Sequence, residues 1–398
     1  MSWLWRLVGR LNLADLPLAW LQLKRQPIRY LVAVTGIGFA ALLMYMQLGF
    51  QSGLLNSATT FYDALDADLI LLSPATLNSG NFRQFPQSQL FSALGVEGVD
   101  TTIPLYVANV NVQKLGGIKP TSLRLIGCDP DTQVLNLPEV LAQKELLKTP
   151  NYVLFDTLGN RNTGPIAEAF KANGYQDLIL SDFSKTFRVV GLFKLGSTFA
   201  ADSNLISSDT TAIQLAFRQI NAGEISMGVI RLKPGANIQR VQRFLKRNYG
   251  GELQVLTKPE LIAQERDYWN TVSSFGVIFG FGTIMGILVG GVVVYQVLYT
   301  DVSDHLKEYA TLKAMGFADG FILIIVVQEA FLLGVSSFIP ATLISTVMYA
   351  FLTAASGIRI EMTSDKTILV GALTLGVCAA SAAIAIRRLR DADPASVF

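Results

Sequence analysis

The chain has 398 residues, a mean hydropathy of +0.41, 51% hydrophobic residues and only 16% charged ones, where an ordinary soluble domain carries about 25% charged residues. The deficit points to membrane spans, and a net charge of +2, from 32 basic and 30 acidic residues, argues against nucleic acid as a partner. A single histidine, His305, and two cysteines, Cys128 in a polar region and Cys378 in an apolar run, leave no His/Cys zinc site, almost no histidine-based catalysis and no basis for an intrachain disulfide.

Residues 1–29 read as a cytoplasmic, partly interfacial amphipathic segment. Trp3, Trp5, Leu7, Val8 and Leu11 mix with Arg6 and Arg10, a combination suited to the lipid headgroup level. Asp15 and Pro17 then open a second short helix that closes on Lys24, Arg25 and Pro27. The first span, residues 30–52, carries no charge over Tyr30–Phe50, and about 20 apolar residues cross a bilayer core. It is too long for a signal peptide, and no clear cleavage site follows it.

Residues 53–257 form a mixed α+β domain, long enough to bury its own core. Asp68–Ser73, Leu123–Gly127 and Phe187–Phe193 read as strands, and Ile166–Asn173 and Thr211–Ile220 as helices. Leu195–Asp209 is rich in Gly, Ser and Asp and reads as a loop. At the end of the domain, Ile225–Leu232 is a strand and Pro234-Gly235 a turn. Asn237 caps a helix with Ile238, Val241, Phe244 and Leu245 on one face, and Leu253–Leu256 is a short strand. Together these make a βαβ-like unit. Asp63, Asp66 and Asp68 read as a solvated face rather than a catalytic cluster.

Thr257, Pro259 and Glu260 start the next helix. No Gly or Pro interrupts Glu260–Ser274, so the pattern predicts a rigid stalk running straight into the second span, together residues 258–300. Gly276, Gly280, Gly282, Gly286 and Gly290 give overlapping small-xxx-small pairs, the spacing of a close-packed helix face in lipid. Residues 301–320 are the one long polar interval of the C-terminal half. At about 100° per residue, Val302, Leu306, Tyr309, Ala310 and Phe317 share a face. Lys313 intrudes on that face, Lys307, Glu308 and Thr311 lie away from it, Asp301 or Ser303 can cap the start and Gly316 can end it.

The third span, residues 321–353, is longer than a bilayer needs, with a kink expected at Pro340. Gln328 and Glu329 lie about two turns, roughly 12 Å, inside its cytoplasmic end, where a polar pair is a functional candidate. A lone carboxylate is not a relay, so a structural or coupling role is favoured over a proton path. Residues 354–366 form a short loop, 367–386 the fourth span and 387–398 the tail. The Lys/Arg bias of the short flanks puts both termini and residues 301–320 in the cytoplasm. The large domain is then extracytoplasmic.

No G-x-x-x-x-G-K-[ST], nucleotide-binding G-x-G-x-x-G or G-x-S-x-G is present, so the chain reads as neither an autonomous ATPase nor an external hydrolase, and no cofactor is expected. His305–Gly316 (HLKEYATLKAMG), Val327–Gly334 (VQEAFLLG) and the tail Arg387–Phe398 resemble, in order and topology, the FtsX/MacB/LolC superfamily of ABC transporter permeases. Leu18–Phe50 looks like the DevC branch, the permeases of cyanobacterial DevBCA-type exporters. The fold expected on this resemblance is four transmembrane helices with a MacB-like α+β domain inserted between the first two.

The resemblance implies a permease homodimer in the inner membrane and a separate P-loop ATPase, since only about 29 residues precede the first span here. It further implies a DevB-like membrane-fusion protein, a TolC-like outer-membrane channel and expulsion of cargo by mechanotransmission, with glycolipid or other lipid-like cargo. Leu306, Lys307, Glu308, Tyr309, Thr311, Lys313 and Gly316 then become the candidate ATPase-coupling residues, with Lys307, Glu308 and Thr311 as the docking surface. An FtsX-like regulator of periplasmic hydrolases and a lipoprotein-releasing permease are the alternatives on the same fold.

Overall fold

A computed structural model describes residues 24–113, 120–160, 163–181, 185–198, 200–304 and 319–391. They divide into two compact units. One takes the chain up to Gln51, Val277–Ala350 and the residues from Glu361 onward; the other takes Ser52–Gly276 and Phe351–Ile360.

The first helix, α1 (Pro27–Ala64), has 38 residues. At 1.5 Å per residue it is about 57 Å long, well beyond the ~30 Å of a bilayer core, and its last turns, from Ser52, belong to the second unit. That unit is built on a nine-stranded sheet. In chain order its elements are β1 (Leu69–Leu72), β2 (Phe85–Pro86), α2 (Gln87–Ser92), β3 (Val99–Val112), β4 (Thr121–Gly127), α3 (Pro138–Ala142), β5 (Tyr152–Asp156), α4 (Ile166–Asn173), β6 (Gln176–Ile179) and β7 (Thr186–Phe193). There follow β8 (Ser203–Ser207), α5 (Asp209–Leu215), β9 (Glu224–Ile225), β10 (Met227–Leu232), α6 (Ile238–Asn248), β11 (Gln254–Thr257) and α7 (Lys258–Asp267).

The sheet order is β11-β1-β10-β3-β4-β8-β5-β7-β6, with β2 and β9 paired separately. It is mixed: β4–β8 and β5–β7 run parallel, the other pairs antiparallel. Because β10 and β11 both pair antiparallel with β1, the β10–α6–β11 segment is a split βαβ with β1 between its strands. Both faces are covered, which is why β1 is apolar at every position rather than alternating. Leu69 and Leu71 join a core with Ala212, Leu215, Val241 and Leu245. Ile70 and Leu72 join the opposite core, with Phe61, Tyr62 and Leu65 of α1 and Leu261 of α7.

Three expectations are corrected here. The interval Leu195–Asp209 is not a loop throughout: it contains β8, a fully buried strand between β4 and β5. Ser203 and Asn204 are legal inside the core because both bond to Asp156. Asn204 Nδ2 donates to Asp156 Oδ2 and to the Gly196 carbonyl, both at 2.8 Å, and Ser203 Oγ donates to the Asp156 carbonyl at 2.9 Å. Asp66 and Asp68 do not form a merely solvated face. Asp66 pairs with Arg231 at 2.6 Å and Asp68 accepts from Leu232 N at 2.8 Å, so both brace the end of β10. The helix expected over Thr211–Ile220 is α5, capped earlier by Ser208 Oγ, which accepts from Thr211 N.

The helices of the other unit are α8 (Ser274–Asp304), α9 (Asp319–Ser356) and α10 (Ser364–Asp391). Each, like α1, contains a stretch long and apolar enough to cross a membrane. The helix α9 continues through Pro340. The described side chains of this unit meet in a cluster of Ala33 and Ile37, Val294 and Leu298, Val326, Ala330 and Leu333, and Cys378 and Ala382. Each helix contributes at least two residues. Both cysteines are buried and free.

Candidate coupling site

Residues 305–318 lie outside the described residues, and with them Leu306, Lys307, Glu308, Tyr309, Thr311, Lys313 and Gly316. What leads into that segment is described. Arg29, in the first turn of α1, pairs with Asp304 of α8 at 2.5 Å.

The five glycines of the second span divide by environment. A Cβ at Gly282 would meet the Gln47 side-chain amide at 2.3 Å, one at Gly286 Met44 Cγ at 3.1 Å, and one at Gly290 Ala40 Cβ at 3.0 Å. These three, four residues apart, lie along the α1 residues Gln47, Met44 and Ala40. They form an antiparallel helix–helix seam of the kind small-xxx-small spacing permits. A Cβ at Gly280 would meet nothing within 4 Å. Gly276 faces neither helix: a Cβ there would lie 1.9 Å from the Asn270 carbonyl oxygen.

That contact marks the correction to the straight stalk. After α7 the chain makes a π-helical turn over Tyr268–Val272, and Ser273 is extended at φ −78°, ψ 143°. Ser273 N donates to the Tyr268 carbonyl at 2.9 Å, and Ser273 Oγ accepts from Phe275 N at 3.3 Å, starting α8 afresh. The physical signal is the run Thr271-Val272-Ser273-Ser274. β-Branched and hydroxyl residues weaken a helix interior and favour a cap, without any Gly or Pro.

Gln328 and Glu329 are each 2% exposed. Neither side-chain amide atom of Gln328 has a hydrogen-bond partner among the described residues. Polar links between the apolar helices include Ser381 Oγ donating to the Gly291 carbonyl at 3.1 Å, a hydrogen bond between Tyr45 OH and Thr342 Oγ1 at 3.0 Å, and Tyr349 OH donating to the Tyr45 carbonyl.

A constellation the residue patterns did not reveal sits within the sheet domain. Glu265 of α7 is 2% exposed and Arg124 of β4 is fully buried. The Glu265 carboxylate accepts from Ser79 Oγ at 2.7 Å, from Ser79 N at 2.9 and 3.0 Å, from Trp269 Nε1 at 2.8 Å and from Tyr62 OH at 3.3 Å. Arg124 donates to the Ser79 carbonyl at 2.8 Å and lies 5.9 Å from the centre of the Phe61 ring. The two buried charges therefore meet through one residue, Ser79. Burial lowers the pKa of Arg124, a shift that Tyr62 and Glu265 oppose; an arginine nonetheless keeps its charge. Two faint signals mark the pair in the sequence. Glu265 falls on the helical stripe Leu261–Glu265–Trp269, and Arg124 interrupts an apolar strand.

Residues 280–394 match the FtsX-like permease C-terminal family. The chain is 28% identical over 155 residues to an uncharacterized ABC transporter permease of Methanocaldococcus jannaschii, and the match covers 38% of this chain and 37% of that protein. The periplasmic region of MacB from Actinobacillus actinomycetemcomitans aligns over 49% of this chain and 91% of that structure, at 13% identity and a TM-score of 0.32. The extracellular domain of the ABC-type transporter YknZ from Gram-positive bacteria aligns over 48% of this chain and 99% of that structure, at 14% identity and a TM-score of 0.30.

Proposed function

We propose that this chain is the non-catalytic permease subunit of an ABC-type exporter of the FtsX/MacB kind, driven by a separate P-loop ATPase. One observation carries the reading. The FtsX-like match, residues 280–394, takes in most of α8, the polar segment after it, α9 and all of α10. ATP-driven closure of the ATPase pushes on residues 301–320 from the cytoplasm, with Lys307, Glu308 and Thr311 as the docking surface. The Arg29–Asp304 ion pair ties the base of α1 to the helix that leads into this segment. The push travels along α1 and α8 to the sheet domain, which expels a lipid-like cargo on the outer side of the inner membrane.

Within the same proposal, two copies of the chain act together in the membrane. The sheet domain engages a membrane-fusion protein that leads to a TolC-like channel, the DevBCA arrangement, with glycolipid as the leading cargo class. The exposed face around Gly280, with Val277, Phe281, Ile284 and Leu288, is the surface available to lipid or to the second copy.

The test is purification of the full chain in mild detergent. A P-loop ATPase is expected to copurify, and its ATP hydrolysis to be stimulated by the chain. The paired charge reversal Lys307→Glu with Glu308→Lys is expected to abolish the stimulation while leaving the amount of folded chain unchanged. Absence of any copurifying ATPase overturns the proposal.

A further inference from the structure

Ser79 has a second role beside joining Arg124 to Glu265. With Gly80, Asn81, Arg83 and Gln84 it lines a polar cleft of about 530 Å³ in the sheet domain, bordered also by Asn109 and Gln219, which bond to Gly80 and Gln84. The loop over residues 73–84 that forms this wall is closed on itself by Thr76. Thr76 Oγ1 accepts from Arg83 N at 2.9 Å and donates to the Arg83 carbonyl at 3.3 Å. The loop touches α1 as well, since Ser79 Oγ lies 3.4 Å from the Ala58 carbonyl. Thus one carboxylate on α7 gathers the end of α1 through Tyr62, the cleft wall through Ser79 and the turn before α8 through Trp269. The Arg124 guanidinium fastens the same Ser79 to the centre of the sheet.

We infer that Arg124, Ser79 and Glu265 form a clasp that makes the cleft wall, residues 73–84, move with α7, so that this cleft is the part of the domain that answers a displacement arriving through α7. A hydrogen-bonded buried carboxylate is directional, and it cannot be released without leaving Arg124 as an uncompensated buried charge. Apolar packing between α7 and the sheet has no such directionality. Glu265 and Arg124 are positioning residues, and neither lines the cleft. The inference rests on the proposed function only for the source of the displacement.

The test is amide hydrogen exchange on the full chain in lipid nanodiscs, first without nucleotide. Glu265→Gln keeps the shape of the side chain and removes its charge. It is expected to speed exchange at least tenfold, on the order of a 1.4 kcal/mol loss of protection, together in residues 54–65, 73–84 and 258–272, while β5 and β8 stay protected. Acceleration of 258–272 alone means the segments are independent and overturns the clasp. Uniform acceleration including β5 and β8 means ordinary destabilisation and also overturns it. Because a lone buried arginine can prevent folding, the double variant Arg124→Met with Glu265→Met, which removes both charges, gives a second arm. It is expected to keep β5 and β8 protected and still release 73–84 from α7; continued joint protection of the two overturns the clasp. With the copurified ATPase present, ATP is expected to change exchange in 73–84 of the natural chain and only in 258–272 of the double variant. Failure of any ATPase to bind defeats the proposed function, while the nucleotide-free comparison still decides the clasp.

Discussion

The helical unit and the sheet domain are joined internally by different kinds of contact. Between the helices, the α1–α8 seam sets glycines against Ala40, Met44 and Gln47, and the polar cross-links seen include hydroxyls donating to carbonyls or bonding to each other. Such a seam is held by close packing without directional bonds. In the sheet domain a carboxylate and a guanidinium are buried to 2% and 0% exposure and locked through Ser79. The contrast separates two mechanical properties. Helices packed through small residues can shift against each other by small distances at little cost, whereas the clasp resists displacement in specific directions. The proposed relay of motion needs both.

The glycines test that contrast with the largest expected effect. Valine introduced at three positions of the second span is expected to lower thermal stability in detergent in the order Gly276, Gly286, Gly280. At Gly276 the added Cβ meets a backbone carbonyl at 1.9 Å, so the turn at Ser273 has to reopen, costing about 3 kcal/mol. At Gly286 it meets Met44, a side chain able to yield, and about 1–2 kcal/mol is expected. At Gly280 it meets open space and no change is expected. Equal effects at all three would mean that the seam and the turn are one packing face after all.

What could be read from residue patterns follows the same divide. Apolar runs marked all four helices, because a membrane demands long uncharged stretches whatever the tertiary contacts. Caps were equally local, and Asn237 and Thr257 act as expected, accepting from Arg240 N and Glu260 N. The strand β8 is hidden because Ser203 and Asn204 find their partner in Asp156, 47 and 48 positions away in the chain. The clasp was hidden further still, since Ser79 and Glu265 are 186 positions apart. Long-range partners are not encoded in any local period, and a buried charge looks like a surface charge until its partner is placed. The break at Ser273 was legible in principle, in the Thr-Val-Ser-Ser run, but a search for Gly and Pro passes over it.

A cysteine gives a smaller effect confined to the sheet domain. Burial, with Asp129 and Asp209 adding to it, pushes the Cys128 thiol up to about 12, against about 8.5 in an unfolded chain. Since the folded value is the higher one, the contribution of Cys128 is fully present below about pH 8.5 and is lost as pH rises toward 12, by at most about 1.4 kcal/mol per pH unit. Alkylation by iodoacetamide at about pH 9 is therefore expected to be limited by opening of the domain. In Cys128→Val the alkaline decline of stability is expected to be shallower than in the natural chain. Rapid alkylation of the folded chain would show that this core opens more easily than its packing implies.

The smallest effect is expected at an ion pair of the helical unit. Arg29 and Asp304 are 37% and 47% exposed, so their pairing contributes about 0.2–1 kcal/mol to stability. Arg29 lies in the first turn of α1, where the helix dipole disfavours a positive charge; Asp304 offsets that. Arg29→Asp alone places two carboxylates opposite each other and is expected to lower the melting temperature slightly, by an amount that fades in about 1 M salt as screening shortens to roughly 3 Å. Exchanging the charges, Arg29→Asp with Asp304→Arg, restores the pair and puts a carboxylate at the helix start, so stability at low salt is expected to return to at least the natural value. If the exchanged pair is no better than the single variant, the pair contributes no net attraction. It then has no part in the proposed transmission, which is left to the glycine seam between α1 and α8.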